Sequence, residues 1–261
     1  MAGVMADVCC LFRSELAYRR SEFLSGLERL GYKAHITLKR HPDPGDILLL
    51  WNRRQQECQY ATHYEKAGAT VIVAENGYLS SREAKSYALA IGHHNGAGIW
   101  RVGGPERWAG MGIELHPWRS VGDFLLILAQ RGIGEPGVAM PGPWPHQVYH
   151  TLPARTAREV RLRRHPGQDK TEPYDALAGA HAAVTWGSGA AIKALAHGYP
   201  VFTSFPRWIG AGAAQLLDQA DFERPFMDDD ARMAMFERLA WAQWSMAEIV
   251  SGEAFAWLLQ R

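Results

Sequence analysis

The 261-residue sequence has only three cysteines, Cys9, Cys10 and Cys58. Three thiols cannot all pair, and two adjacent ones in an apolar run suit buried strand positions, which excludes a disulfide framework. No segment approaches the ~20 uninterrupted apolar residues that a membrane helix needs. Charge bias is also lacking: Lys+Arg 28 against Asp+Glu 27 gives a net +1. That balance excludes a global field drawing the protein onto nucleic acid or a membrane, though a local basic groove stays open. Residues 1–120 hold 15 basic and 12 acidic side chains against 13 and 15 in the rest, which weakly favours the first half for an anionic partner. Zinc-ligand spacing is missing, since the adjacent His93 and His94 cannot easily converge on one ion. There is no internal repeat and no low-complexity tract. Residues 1–10 carry Asp7 within their apolar stretch and no basic leader, so they read as a first core strand. The expected compartment is a reducing cytoplasm.

What is present is alternation. Short apolar runs at 6–12, 33–38, 46–51 and 69–74 are separated by helix-like stretches at 19–30 and 55–67, the pattern of a parallel sheet covered by helices. Gly31 and Gly68 stand where left-handed helix caps are needed. A further strand is expected at 87–91. A second series starts near Asp123, with strands at 124–129, 160–163, 182–186 and 200–204 and a helix at 188–197 capped by Gly198. After Pro225 the pattern is helical, over 232–243 and 248–259. This predicts an α/β fold with an N-terminal domain over 1–119, a second over 120–240, and a C-terminal helix over 241–261.

Three loops of the second series carry chemistry. Trp186-Gly187-Ser188-Gly189 turns an apolar strand into a helix. Unpaired first-turn amides and the helix dipole make an anion site there, and the glycines let a phosphate approach closely. The third glycine of the dinucleotide fingerprint is absent, which disfavours a nicotinamide cofactor. Arg131, Gly132 and Gly134 follow the first strand of this series, where open α/β sheets bind ligands. His165-Pro166-Gly167 ends the next strand on the same edge. Lys193, one turn into the helix, either reaches the phosphate or is solvated. Each turn read alone also has a structural reading.

The run Arg163-Arg164-His165-Pro166-Gly167, followed by Ser188-Gly189 and Ala194 to Val201, resembles the donor domain of GT-B glycosyltransferases, most of all bacterial sialyltransferases and capsule-type Kdo transferases. The likeness spans roughly residues 70–205. It implies two Rossmann-like domains with parallel sheets and C-terminal helices crossing back. It also implies that His165 and Ser188 hold the donor nucleotide, a UDP- or CMP-sugar. Glu75-Asn76-Gly77 is similar to the family's acid-acid-Gly motif, with Asn76 in place of the second acid, which makes Glu75 the expected general base. His165 is expected to stabilise the leaving nucleotide. No cofactor and no obligate metal is implied.

For the acceptor, the first half offers Trp51, Arg53, Arg54, Asn76, His93, His94 and Trp100. Basic residues interleaved with aromatics suit phosphate contact plus base stacking, and equally suit an anionic glycan or a solvated surface. The short format resembles phage-encoded DNA-modifying glycosyltransferases. The expectation is therefore transfer to a hydroxymethylpyrimidine, such as 5-hydroxymethylcytosine, in phage-type DNA inside a bacterial host. A capsule-type glycan acceptor, a nucleotide-sugar epimerase and a non-catalytic nucleotide- or DNA-binding protein are the alternatives.

Overall fold

The computed structural model describes residues 6–79, 85–119, 121–167 and 171–260. In chain order its elements begin β1 (Asp7–Cys10), α1 (Arg20–Glu28), β2 (Lys33–His35), β3 (Ile47–Trp51), α2 (Gln55–Lys66), β4 (Thr70–Asn76), β5 (Ser86–Ile91) and α3 (Glu106–Gly110). Next come β6 (Phe124–Leu128), α4 (Trp144–Thr151), β7 (Glu159–Arg163), α5 (Tyr174–Leu177), β8 (Ala180–Thr185), α6 (Gly189–Ala196) and β9 (Val201–Thr203). The last are β10 (Gln215–Leu216), α7 (Asp229–Ala240), β11 (Gln243–Ser245), α8 (Met246–Ser251) and α9 (Glu253–Leu259). They form two compact units. The first holds Met1–Gly104, Ile133–Glu135 and Ala240–Arg261; the second holds Pro105–Gly132 and Pro136–Leu239.

The first unit is built on a six-stranded sheet ordered β11-β5-β4-β3-β1-β2. β3 is central and covered on both faces, which is why Ile47 to Leu50 are all apolar and almost wholly buried rather than alternating. Cys9, Leu48, Leu50, Tyr64 and Val71 pack together between sheet and α2. The expected all-parallel sheet is corrected here: β2, β1, β3 and β4 run parallel, whereas β5 is antiparallel to β4 and β11 antiparallel to β5. The segment 77–85 joining β4 to β5 is shorter than the dozen or more residues a parallel crossover needs.

The helix expected over 232–243 stops at Ala240, and Gln243–Ser245 instead pairs with β5, satisfying the backbone groups of that strand's open side. The helix expected over 248–259 is two helices. Ser245 and Glu248 form a reciprocal capping box that starts α8, and Gly252, at φ +86°, breaks it from α9. Both terminal helices pack on α1 of the same unit. Where α1 meets α8, a Cβ added at Gly26 would lie 1.9 Å from the Ile249 carbonyl oxygen.

The second unit has a five-stranded, wholly parallel sheet ordered β10-β9-β8-β6-β7. Its core joins Leu125, Ile127, Trp144, Val184 and Phe202 with the partly buried Trp186. Because every strand points the same way, the loops after β6, β7 and β8 leave from one edge. Among the described residues no helix is long and apolar enough to cross a membrane.

Candidate functional site

The carboxyl edge of the second unit's sheet brings three of the predicted turns together. The loop after β6 is tied to the loop after β8 by the Gly187 N–H, which donates to Gln130 Oε1 at 3.0 Å. The loop after β7 is close enough that the Arg131 charge acts on His165. Burial, with Arg131 and Arg163 nearby, pushes the His165 imidazole below its ordinary value, so the ring is neutral at pH 7. Its Nδ1 accepts from the Gly167 N–H at 3.0 Å, which fixes the proton on Nε2. Nε2–H has no acceptor among the described residues. His165 therefore presents a neutral hydrogen-bond donor rather than a cation, and Pro166 sits in the turn that the His165 Nδ1 closes.

At the start of α6 the amides are partly spoken for. The Ser188 N–H donates to Thr185 Oγ1 at 2.9 Å, the Ala190 N–H to Ser188 Oγ at 3.1 Å, and the Ala191 N–H to Ser188 O at 3.0 Å. Two donors remain without a partner among the described residues, the Gly189 N–H and the Ser188 hydroxyl proton. A Cβ added at Gly189 would meet nothing within 4 Å, so the approach to that amide is open. The eight-residue α6 adds its dipole.

Beside this turn lies an open cleft of about 350 Å³ lined by Gln130, Arg131, Gly132, His146, Leu162 and Arg164 among others. No carboxylate is among those lining residues. Neighbouring arginines are engaged: Arg161 pairs with Glu159, and Arg163 bonds the Thr171 and Glu172 carbonyls. Arg131 and Arg164 have no such partner among the described residues. Gly132, at φ +64°, lets its loop run against the Met140 carbonyl, 2.6 Å from where a Cβ would stand.

The other predicted donor residues are placed differently. The Trp186 indole donates to the Val138 carbonyl at 3.0 Å and lies parallel to Phe205, so its side chain belongs to the core. Lys193 is paired with Glu172. Gly134 belongs with Ile133–Glu135 to the first unit. Sequence reasoning passed over Gln130, Thr185, Arg164 and His146. The only available signals were a polar residue closing each strand and the second arginine of Arg163-Arg164-His165.

In the first unit, Glu75 is the penultimate residue of β4 and half-buried. Its Oε1 accepts from the Asn95 N–H at 2.7 Å and from the Tyr78 hydroxyl. Oε2 carries no hydrogen bond among the described residues. Asn76 is exposed at the strand end. His93 and His94 are buried and stacked, with ring centroids 4.7 Å apart. His94 Nδ1 accepts from the Arg53 N–H at 3.2 Å and its Nε2 bonds the Ile133 carbonyl at 3.2 Å. His93 Nε2 lies 3.4 Å from Glu135 Oε1.

Arg53, only 7% exposed, makes a forked pair with both Glu65 oxygens and also bonds the Gly92 carbonyl. Trp51 is held edge-on among Phe12, Tyr18, Phe23 and Tyr87. Trp100 is buried, and the half-buried Arg54 stands at the N-cap position of α2 without a side-chain capping bond. Among the described residues no cluster of three or more His, Cys, Asp or Glu side chains is placed to hold a metal ion.

No family model matches the chain, and no curated protein is significantly similar to it in sequence. Among solved structures, its fold is like that of a Thermosulfurimonas dismutans KpsC beta Kdo 2,7 transferase. The TM-score is 0.58 at 13% identity, over 96% of this chain and 99% of that one. A KpsC beta Kdo 2,4 transferase from the same organism is similar at a TM-score of 0.57 and 13% identity, over 94% and 98%. The likeness therefore spans the fold from end to end at an identity that speaks for fold alone.

Proposed function

We propose that this chain is a glycosyltransferase that moves a sugar from a nucleotide-sugar donor to a hydroxyl acceptor. The observation that carries the reading is the shared sheet edge. There the Gly189 amide, the Ser188 hydroxyl, the His165 Nε2–H and the Arg131 guanidinium stand as donors without acceptors, the set a departing phosphate needs. The end-to-end fold likeness to two Kdo transferases supports it, and makes a CMP-linked Kdo the first donor to try beside UDP- and CMP-hexoses.

In the reaction, Glu75 Oε2 takes the proton of the acceptor hydroxyl, the acceptor oxygen bonds the anomeric carbon, and the bond from that carbon to phosphate breaks. No step calls for a metal ion.

We propose a glycan-type hydroxyl as the acceptor. A hydroxymethylpyrimidine in DNA remains an arm of the test, but the side chains that would recognise it are occupied: Arg53 by Glu65, Trp51 by its aromatic neighbours, and His93 and His94 by burial. The deciding experiment is calorimetric titration with UDP, CMP, GDP and their sugars. A transfer assay on glycan oligomers and on 5-hydroxymethylcytosine DNA follows. Heat from one nucleotide and sugar on one acceptor is the expected result. Free nucleotide released with an altered sugar and no acceptor would instead show an epimerase, and no nucleotide heat at all would end the scheme.

A further inference from the structure

Glu75 is not held by its own strand alone. The Tyr78 hydroxyl and the Asn95 N–H both reach Oε1. Tyr78 is in turn fixed from the far end of the chain: the Gln243 carboxamide oxygen on β11 accepts from the Tyr78 N–H and, at 2.9 Å, from the Leu79 N–H. The Ser86 hydroxyl donates to the Leu79 carbonyl at 2.7 Å, closing the same turn. Gln243 is 2% exposed and Tyr78 8%, so neither has water as a substitute partner. A buried carboxamide taking two consecutive backbone amides is an organised clamp, because each amide left unpaired there would carry a full desolvation cost.

We infer that Tyr78 and Gln243 are positioning residues for the proton transfer: Gln243 seats the Tyr78 turn, and the Tyr78 hydroxyl locks one Glu75 oxygen so that the other faces the acceptor. The inference rests on Glu75 being the base of the reaction proposed above. Tyr78 keeps its own proton throughout, since burial and the adjacent carboxylate push its phenol well above the ordinary tyrosine range. The proton taken from the acceptor ends on Glu75 Oε2. Tyr78 is the titratable side chain in contact with Glu75 among the described residues. His93 and His94, on the segment that supplies the Asn95 amide, are turned to Glu135 and to the Ile133 carbonyl.

A donor to an ionised carboxylate favours the ionised form, so removing the donor must move the titration upward. In protein labelled at the glutamate side-chain carboxyl carbon, the Glu75 signal is assigned by its loss in Glu75→Gln. In Tyr78→Phe its midpoint is expected to rise, because one hydrogen bond to the charged form is lost. A merely structural role for Tyr78 would lower the melting temperature and leave that midpoint where it was, which would overturn the inference. A second measurement keeps the Tyr78 hydroxyl in place. With 3-fluorotyrosine in the otherwise native chain, the Tyr78 fluorine signal should follow the Glu75 titration and lose that inflection in Glu75→Gln; a signal flat through that range refutes the contact. Transfer from CMP-Kdo or a UDP-hexose, whichever is turned over, separates the two claims. If the carboxyl midpoint moves and the acid limb of the rate profile does not, Glu75 is not the base and the reading beneath fails while the tether stands.

Discussion

Acid should loosen this protein through His93, and the size of the effect follows from its surroundings. His93 is 6% exposed, and its Nδ1 accepts the His94 N–H at 2.9 Å, which a protonated ring could not do. Burial, then the neighbouring His94, holds the imidazole at about 4, against an ordinary value of 6.5, despite the opposing pull of Glu135. The folded form thus takes up the proton later than the unfolded chain. The stability this represents is fully present above pH 6.5 and is lost as the pH falls toward 4. Linkage makes the loss about 2 kcal/mol by pH 5 and about 3 kcal/mol below pH 4. The assay is urea unfolding of wild type and His93→Asn between pH 7.5 and 4.5. Asparagine keeps an acceptor near the Nδ1 position and cannot titrate. The other depressed histidines, His165, His181 and His197, act in both proteins and cancel in the difference. The variant's curve should be flatter by the stated amount over that window. Two curves running parallel would refute the argument.

Further outcomes follow from the same geometry. Gly26→Ala should destabilise by about 2 kcal/mol: an alanine would ordinarily favour the helix by roughly 0.5–1 kcal/mol, but its Cβ falls 1.9 Å from a backbone oxygen that cannot swing aside. Thermal unfolding checks it, and a rise in melting temperature would contradict the docking of α8 on α1. Gly189→Ala meets empty space in the free protein and should melt unchanged, yet lose about tenfold or more in nucleotide affinity if phosphate closes on that amide. Equal affinity by calorimetry would move the phosphate elsewhere. Arg131→Ala and Arg164→Ala should each weaken nucleotide-sugar binding about tenfold with little effect on stability, since neither guanidinium supports the fold. Ser188→Ala should cost about 1 kcal/mol of stability, because it also removes a helix cap.

Some of this was readable in one dimension because it is local. The apolar run of β3, the glycines that end α1, α2 and α6, and the polar turns after β7 and β8 depend on residues within a few positions of one another. Glu75-Asn76-Gly77 is likewise a run of adjacent residues. Which side chains remain free to bind was not readable. Arg53 and Arg131 look alike in sequence, each basic and just past a strand. One is buried against Glu65, twelve residues on, and the other is open to a cleft. Lys193 and Trp186 were credible ligands until Glu172 and Phe205 claimed them.

By itself, then, the sequence determined that strands and helices alternate and where most begin and end. Those properties follow from periodicity, caps and backbone freedom within a single turn or strand. The tertiary structure decided the antiparallel turn of β5, the recruitment of residues 243–245 as a sixth strand, and the partners of Glu75. Each depends on a contact across the fold, as between Gln243 and Tyr78 or β11 and β5. No local pattern encodes such a contact, because its free energy exists only once both partners have been brought together and dried.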